Sequence, residues 1–165
     1  MVAAVEIPKA YTPSGGWHGE MPPPILAGCT EPLSANAPDL RGTWRSINVT
    51  DDAGNPLPAE HPIHDYSERI EQGGNRVVVT SAGIIHDMYA DGTYENGVND
   101  VMQTDFATPI CVAATFEGGA LVLRPQGFPG IEIWRWREGE HLRWRYHTLF
   151  TATLERVDQR PSTTG

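Results

Sequence analysis

Lysine is almost absent from this chain: Lys9 stands alone, and every other basic side chain except histidine is an arginine. The bland source of such a bias is genomic base composition. At individual positions, arginine is also the residue that grips a carboxylate with two parallel hydrogen bonds. Cysteine is nearly as scarce. Cys29 and Cys111 cannot make a disulfide framework. Two reduced thiols are expected, with a single bridge between the N-terminal segment and the domain as the alternative. No apolar run approaches the ~18 residues of a membrane span. "ILAGCT" around Cys29 imitates a lipoprotein cleavage site, but the upstream "SGGWHGEMPPP" lacks the roughly 7–15 apolar residues that an export signal requires. Positive charge is in short supply as well. A net charge of −9 argues against general affinity for nucleic acid or an anionic membrane. The expectation is a soluble cytoplasmic protein with no nucleic-acid or membrane partner.

Other absences narrow the chemistry. There is no Gly-x-Ser-x-Gly elbow for a nucleophilic serine and no glycine-rich loop leading into a helix to cradle phosphate. "HPIH" places His61 and His64 at a spacing that suits two metal ligands, but no cysteine or carboxylate cluster completes a set of three or four. No metal and no cofactor are expected. No segment carries an apolar period of 3.6 residues, and there is no internal repeat.

Within 165 residues, enough for one domain with a core, residues 1–40 stand apart. They hold Pro8, Pro13, Pro22, Pro23, Pro24, Pro32 and Pro38, which forbid long helices and central strands. They also hold Tyr11, Trp17, Met21, Ile25 and Leu26, more apolar bulk than a disordered tail carries. Two readings stand level: an arm packed on the rest of the molecule or over its mouth, and a flexible tail. The expected organisation is this arm, a β domain over 41–158 and a tail over 159–165.

From Leu40 onward the text is strand and turn. Apolar alternation recurs every 8–12 residues between turn signals, the mark of a sandwich or barrel. About eight strands are expected, the number whose closed barrel can hold one small ligand. Asp91-Gly92 reads as a hairpin turn after "IIHDMYA". A three-residue loop at Glu138-Gly139-Glu140 would set Trp134 against Trp144 and leave the arginines on the opposite face, since a one-residue slip flips every side chain. Which face of that hairpin points inward stays open.

"DLRGTW" at the start of this region and "FTATLERV" at its end resemble the calycin pattern, that of lipocalins and fatty-acid-binding proteins. There a Gly-x-Trp motif opens the barrel and its indole packs beneath an arginine of the last strand. Gly42 and Trp44 match the motif, and Arg156 matches the arginine. The resemblance covers roughly Leu40 to Val157. It implies an all-β, antiparallel up-and-down barrel with a pocket for a hydrophobic or amphipathic small molecule. A monomer or homodimer is expected. It carries over no catalytic residue.

Candidate site residues follow from alternation. Ile84, His86 and Met88 share the more apolar face of their strand, which places His86 inside. Met88, Trp134, Trp144 and Tyr146 are candidate pocket-lining residues. Arg145 and His147 are candidates to hold an acidic head group, because barrels that bind organic acids use an internal arginine. A histidine beside a carboxylate is also the minimum for general acid–base chemistry. The alternative function is therefore an isomerase, cyclase or lyase with His86 as acid–base and Glu95 or Asp100 beside it. A barrel filled solid with its own side chains is the third possibility.

Overall fold

The computed structural model describes residues 1–157 and is all-β. Ten strands follow in chain order: β1 (Gly42–Thr50), β2 (Ser67–Gly73), β3 (Arg76–Ser81), β4 (Ile84–Tyr89), β5 (Val98–Val101), β6 (Pro109–Glu117), β7 (Ala120–Pro125), β8 (Ile133–Glu138), β9 (His141–Tyr146) and β10 (Phe150–Arg156). They form one antiparallel sheet in the order β4-β3-β2-β1-β10-β9-β8-β7-β6-β5. Pairing of β1 with β10 joins the two ends of the chain, and the sheet curls until its two edges, β4 and β5, face each other. The result is a nearly closed up-and-down barrel.

The count of ten differs from the expected eight because two long apparent strands each fold back on themselves. "RVVVTSAGIIHDMYA" breaks at Ala82-Gly83, where Gly83 takes a left-handed conformation (φ 89°). "HLRWRYHTLFTATLERV" breaks at His147–Leu149, with His147 itself left-handed (φ 52°). Two turn assignments are corrected as well. Asp91-Gly92 does not make a hairpin between paired strands. Residues 90–97 form a longer loop in which the Asp91 carboxylate accepts from the Thr93 amide and the Asn96 side chain. The β8-β9 turn has two residues, Gly139 and Glu140, so Arg135 opposes Trp144, Trp134 opposes Arg145 and Arg137 opposes Leu142. Gly139 at φ 60° supplies the left-handed position such a turn needs. The inner face of the hairpin is therefore mixed: Ile133, Arg135, Leu142 and Trp144 point to the core, while Trp134, Trp136, Arg143 and Arg145 share the outer wall.

One end of the barrel is plugged. Trp44 has no exposed surface, and the Arg156 guanidinium lies 4.4 Å above its ring with Arg137 at 5.4 Å. The indole N–H donates to the Leu40 carbonyl (3.0 Å). Gly42 is required here: its φ of 145° disfavours a side chain, and a Cβ would collide with Arg156. Met88, Leu121, Leu142 and Leu154 fill the space above the plug and are likewise fully buried. At the other end, the 51–66 connection returns over the rim and packs Ile63 and Leu57 against the core. His61 and His64 serve this connection. The His61 ring accepts from the Ile63 amide, and His64 bonds the Leu57 carbonyl.

The N-terminal segment is a packed strap on the outer wall of β2, β3 and β4. Leu26 joins Val78 and Ile85 in a second apolar cluster, flanked by Ile7, Trp17 and Ile25. Its polar lock is Arg76. The guanidinium takes both Asp87 oxygens (2.6 and 2.9 Å) and also donates to the carbonyls of Ala4, Ile7 and Pro8 (2.6, 2.6 and 3.0 Å). All five of its N–H donors are thereby used. The strap also crosses the β4-β5 seam. The Ala10 amide donates to Asp87 on β4, the Thr12 amide to Asp100 on β5, and Lys9 to the Gly97 carbonyl. The expected tail over 159–165 lies outside the described residues. Cys29 and Cys111 are both free.

Candidate functional site

The half of the barrel beneath the 51–66 connection differs from the plugged half in what its walls offer. Tyr66 stacks on Trp144 at 4.8 Å, Phe150 meets Trp144 edge-on at 5.3 Å, and Tyr146 stacks on Phe150 at 5.5 Å. This aromatic tier has Ile133 beside it and Leu123 packed nearby, and exposure rises along it from 5% at Trp144 to 36% at Tyr146. Antiparallel register explains the grouping. Tyr146 pairs with both Ile133 and Phe150, and Trp144 with Ala152, so one inward row of three strands converges at the rim. A separate cleft of about 500 Å³ lies where β5, β6 and β7 end, with Asp100, Ile110, Pro125 and Phe128 among its walls and none of the aromatic tier.

Beneath the aromatic tier lies a buried ion pair. Arg135 on β8 reaches across the barrel to Glu68 on β2 with two bonds, Nε to Oε2 (2.8 Å) and Nη2 to Oε1 (2.9 Å). The Tyr66 hydroxyl donates to the same Oε1 (2.6 Å), and the guanidinium lies 4.8 Å from the Trp144 ring. Burial and the neighbouring Glu68 charge push the Tyr66 phenol well above its ordinary pKa. Burial works against the Arg135 charge, but the Glu68 carboxylate outweighs it and raises the guanidinium above its ordinary value. One buried group remains unmatched in this tier: the Trp144 indole N–H has no acceptor.

His86 sits on the inward row of β4 opposite Val79, with Met88 two residues on, as alternation predicts. Its Nε2–H points to the Val101 carbonyl of β5 at 3.0 Å and so spans the seam. Burial lowers its pKa, which the Val101 and Asp100 contacts only partly offset. Asp100 lies 4.0 Å from Nε2, beyond hydrogen-bond reach, and accepts from the Thr12 and Val101 amides instead. Glu95 lies exposed in the 90–97 loop. Much of the polarity of that stretch is spent on its own backbone: Asn99 donates to the carbonyls of Tyr94 and Glu95.

The remaining residues singled out by sequence divide between inside and outside. Trp144 and Tyr146 belong to the aromatic tier, while Met88 is sealed in the plugged half. Trp134, Arg145 and His147 line a cleft of about 680 Å³ on the outer wall, with Trp136. There Arg145 pairs with Asp52 (3.2 Å), and the Trp134 and Trp136 N–H groups are taken by Glu132 and Glu138. Arg145 is thus not the internal arginine. That position belongs to Arg135, which sequence reading passed over with Glu68 and Tyr66. The available signal was a pair of opposite charges, one each in "SERIEQ" and "IWRWR", two segments rich in core residues.

No protein-family model matches the sequence, and no curated protein sequence does. Solved structures do match in shape. Human cRBP IV superposes with a TM-score of 0.54 at 18% identity, over 72% of this chain and 98% of its own. The zebrafish ileal bile acid-binding protein in complex with cholic acid gives 0.52 at 14% identity, over 71% and 98%. The chain therefore shares the barrel fold of these two structures. Gly42, Trp44 and Arg156 occupy the positions that the sequence resemblance implied.

Proposed function

We propose that the protein binds an apolar or amphipathic small molecule in the half of its barrel lined by the aromatic tier. The observation that supports this most is the aromatic tier itself: its exposure rises from 5% at Trp144 to 36% at Tyr146, whereas Trp44, Met88, Leu121, Leu142 and Leu154 fill the plugged end with no exposed surface. Small-molecule sites are concave, mostly apolar and supplied with a few fixed polar groups, and the tier with its underlying ion pair matches that description. A route in would run from the cleft of about 500 Å³ past Ile110, which packs against the core. The complex of a barrel of this shape with cholic acid supports an amphipathic guest, and says nothing of the head group this site would take. We place this binding in the cytoplasm, and the net charge of −9 supports a protein that works without nucleic acid.

The test is a titration with Nile red, a neutral dye whose emission rises and shifts to the blue in apolar surroundings. Saturable binding at one dye per chain is expected, and Phe150→Lys should abolish it by placing a charge in the tier. A dye that stays in water, or binds equally well to the variant, would remove the reading. Native mass spectrometry of freshly purified protein adds a direct look for a retained guest.

A further inference from the structure

Resting on that ligand-binding reading, the site's chemistry narrows the guest to one kind of head group. We infer that the barrel selects molecules ending in an uncharged oxygen acceptor (an alcohol, aldehyde, ketone or ester) and excludes carboxylates. Two observations carry this. The first is that the internal cation is already answered. Arg135 is held by both oxygens of Glu68, which is fully buried, and Glu68 is further fixed by the Tyr66 hydroxyl. An incoming carboxylate would have to displace Glu68 and strand it without its partner, or lie beside it as a second buried anion. Either is expensive where water is excluded. The pair therefore acts as a neutral polar floor.

The second observation is the unmatched Trp144 N–H. Trp144 is 5% exposed, its nitrogen is buried, and nothing accepts its proton. Arg69 Nε, Thr80 Oγ1, Arg137 Nε and Arg143 Nε are unmatched as well, but among these atoms only the Trp144 N–H belongs to the aromatic tier, and buried donors are usually matched. Indole is a donor only, which requires the guest to bring an acceptor. The neighbours of the ring are Arg135, Tyr66, Tyr146 and Phe150. In this binding mode the head group sits at this N–H, and the apolar body lies toward Ile133 and Leu123.

The experiment is displacement of bound Nile red at pH 8 by three guests with one shared chain: 1-dodecanol, methyl dodecanoate and dodecanoate. The alcohol and the ester should compete, and the acid should be weaker by at least about tenfold, the discrimination expected when a charge must be buried unpaired. Trp144→Phe keeps the ring and removes the donor; it should weaken alcohol and ester by roughly two- to tenfold, the worth of one hydrogen bond. Glu68→Gln frees the Arg135 charge, and dodecanoate should gain at least about tenfold on the ester. Should that variant fail to fold, the wild-type and Trp144→Phe comparisons still decide. Dodecanoate matching its methyl ester on the wild-type protein would overturn the selectivity while leaving the ligand reading in place, and so would a folded Glu68→Gln with no gain for the acid. If Nile red itself does not bind, the ligand reading falls and this inference with it.

Discussion

Arg76 and Arg135 are both buried and both grip a carboxylate with two bonds, yet they lie on opposite sides of the barrel wall and do different work. Arg76 is closed to any newcomer. Asp87 and three carbonyls of the strap use all its donors, and the Asp87 carboxylate also holds the Ala10 amide. Arg135 faces Glu68 on one side and an aromatic tier on the other, next to a donor still without a partner. The same pair chemistry therefore serves as a clasp where the chain surrounds it, and as the floor of a site where the chain leaves one side unfilled. The charge network of Arg124 with Glu117 and Glu132, on the outer surface, extends the comparison to water.

The largest effect should come from breaking the clasp. Arg76→Met strands Asp87 in a buried position and is expected to cost about 3–5 kcal/mol in urea unfolding. Amide exchange at Ala10 and Thr12 should accelerate in the same variant. Adding Asp87→Leu should recover much of the loss, because the stranded charge goes. A single variant that unfolds like the wild type would show that the strap is held by its apolar contacts alone.

Removing both members of the inner pair is a milder change. Arg135→Met combined with Glu68→Leu should alter stability by no more than about 2 kcal/mol in either direction, since a buried pair contributes little net once its desolvation is counted. A loss as large as that of Arg76→Met would mean that the inner pair is also a structural clasp, and the contrast between the two would close.

A smaller, pH-dependent effect belongs to the seam that the strap covers. Burial depresses the His86 pKa below the ordinary 6.5, so the unfolded chain binds a proton that the folded ring resists. The stabilisation is present above pH 6.5 and is lost as pH falls through the lower folded value. Urea midpoints should drop between pH 7 and pH 5, and His86→Gln should flatten that drop. An equal drop in the variant would assign the effect to other groups.

The exposed network should matter least. Its geometry is good enough to lower the Glu117 pKa to about 2, with the Arg124 hydrogen bond as the leading cause, but water screens it. Arg124→Ala should cost under about 1 kcal/mol, and the difference should shrink in high salt. A salt-independent loss comparable to that at Arg76 would contradict the ranking by exposure.

Sequence made the barrel legible because turn signals and alternation are local, and Gly42, Trp44 and Arg156 were legible because the plug needs those residue types at the two ends of the sheet. The two unrecognised turns show where local reading stops. Gly83 was available as a breaker, but His147 takes a left-handed conformation that its residue type does not advertise. The β8-β9 register was missed for a related reason. Separating tryptophans from arginines favours a three-residue loop, but Arg135 is drawn inward by Glu68, which lies 67 residues away in the chain. Likewise, alternation does not show that much of the polarity from Asp91 to Asn99 is spent on the backbone of its own loop. Long-range pairing of charges leaves no period in a sequence, and it decides the site here.

The central claim is that a guest occupies the half of the barrel lined by the aromatic tier and not the larger cleft on its outer wall. Intermolecular NOEs from bound 1-dodecanol to the protein test it most directly. Contacts to Leu123, Ile133, Tyr146 and Phe150, with a shifted Trp144 indole proton, are the predicted result. Contacts to Trp134 and Trp136, with the Trp144 proton unmoved, would contradict it.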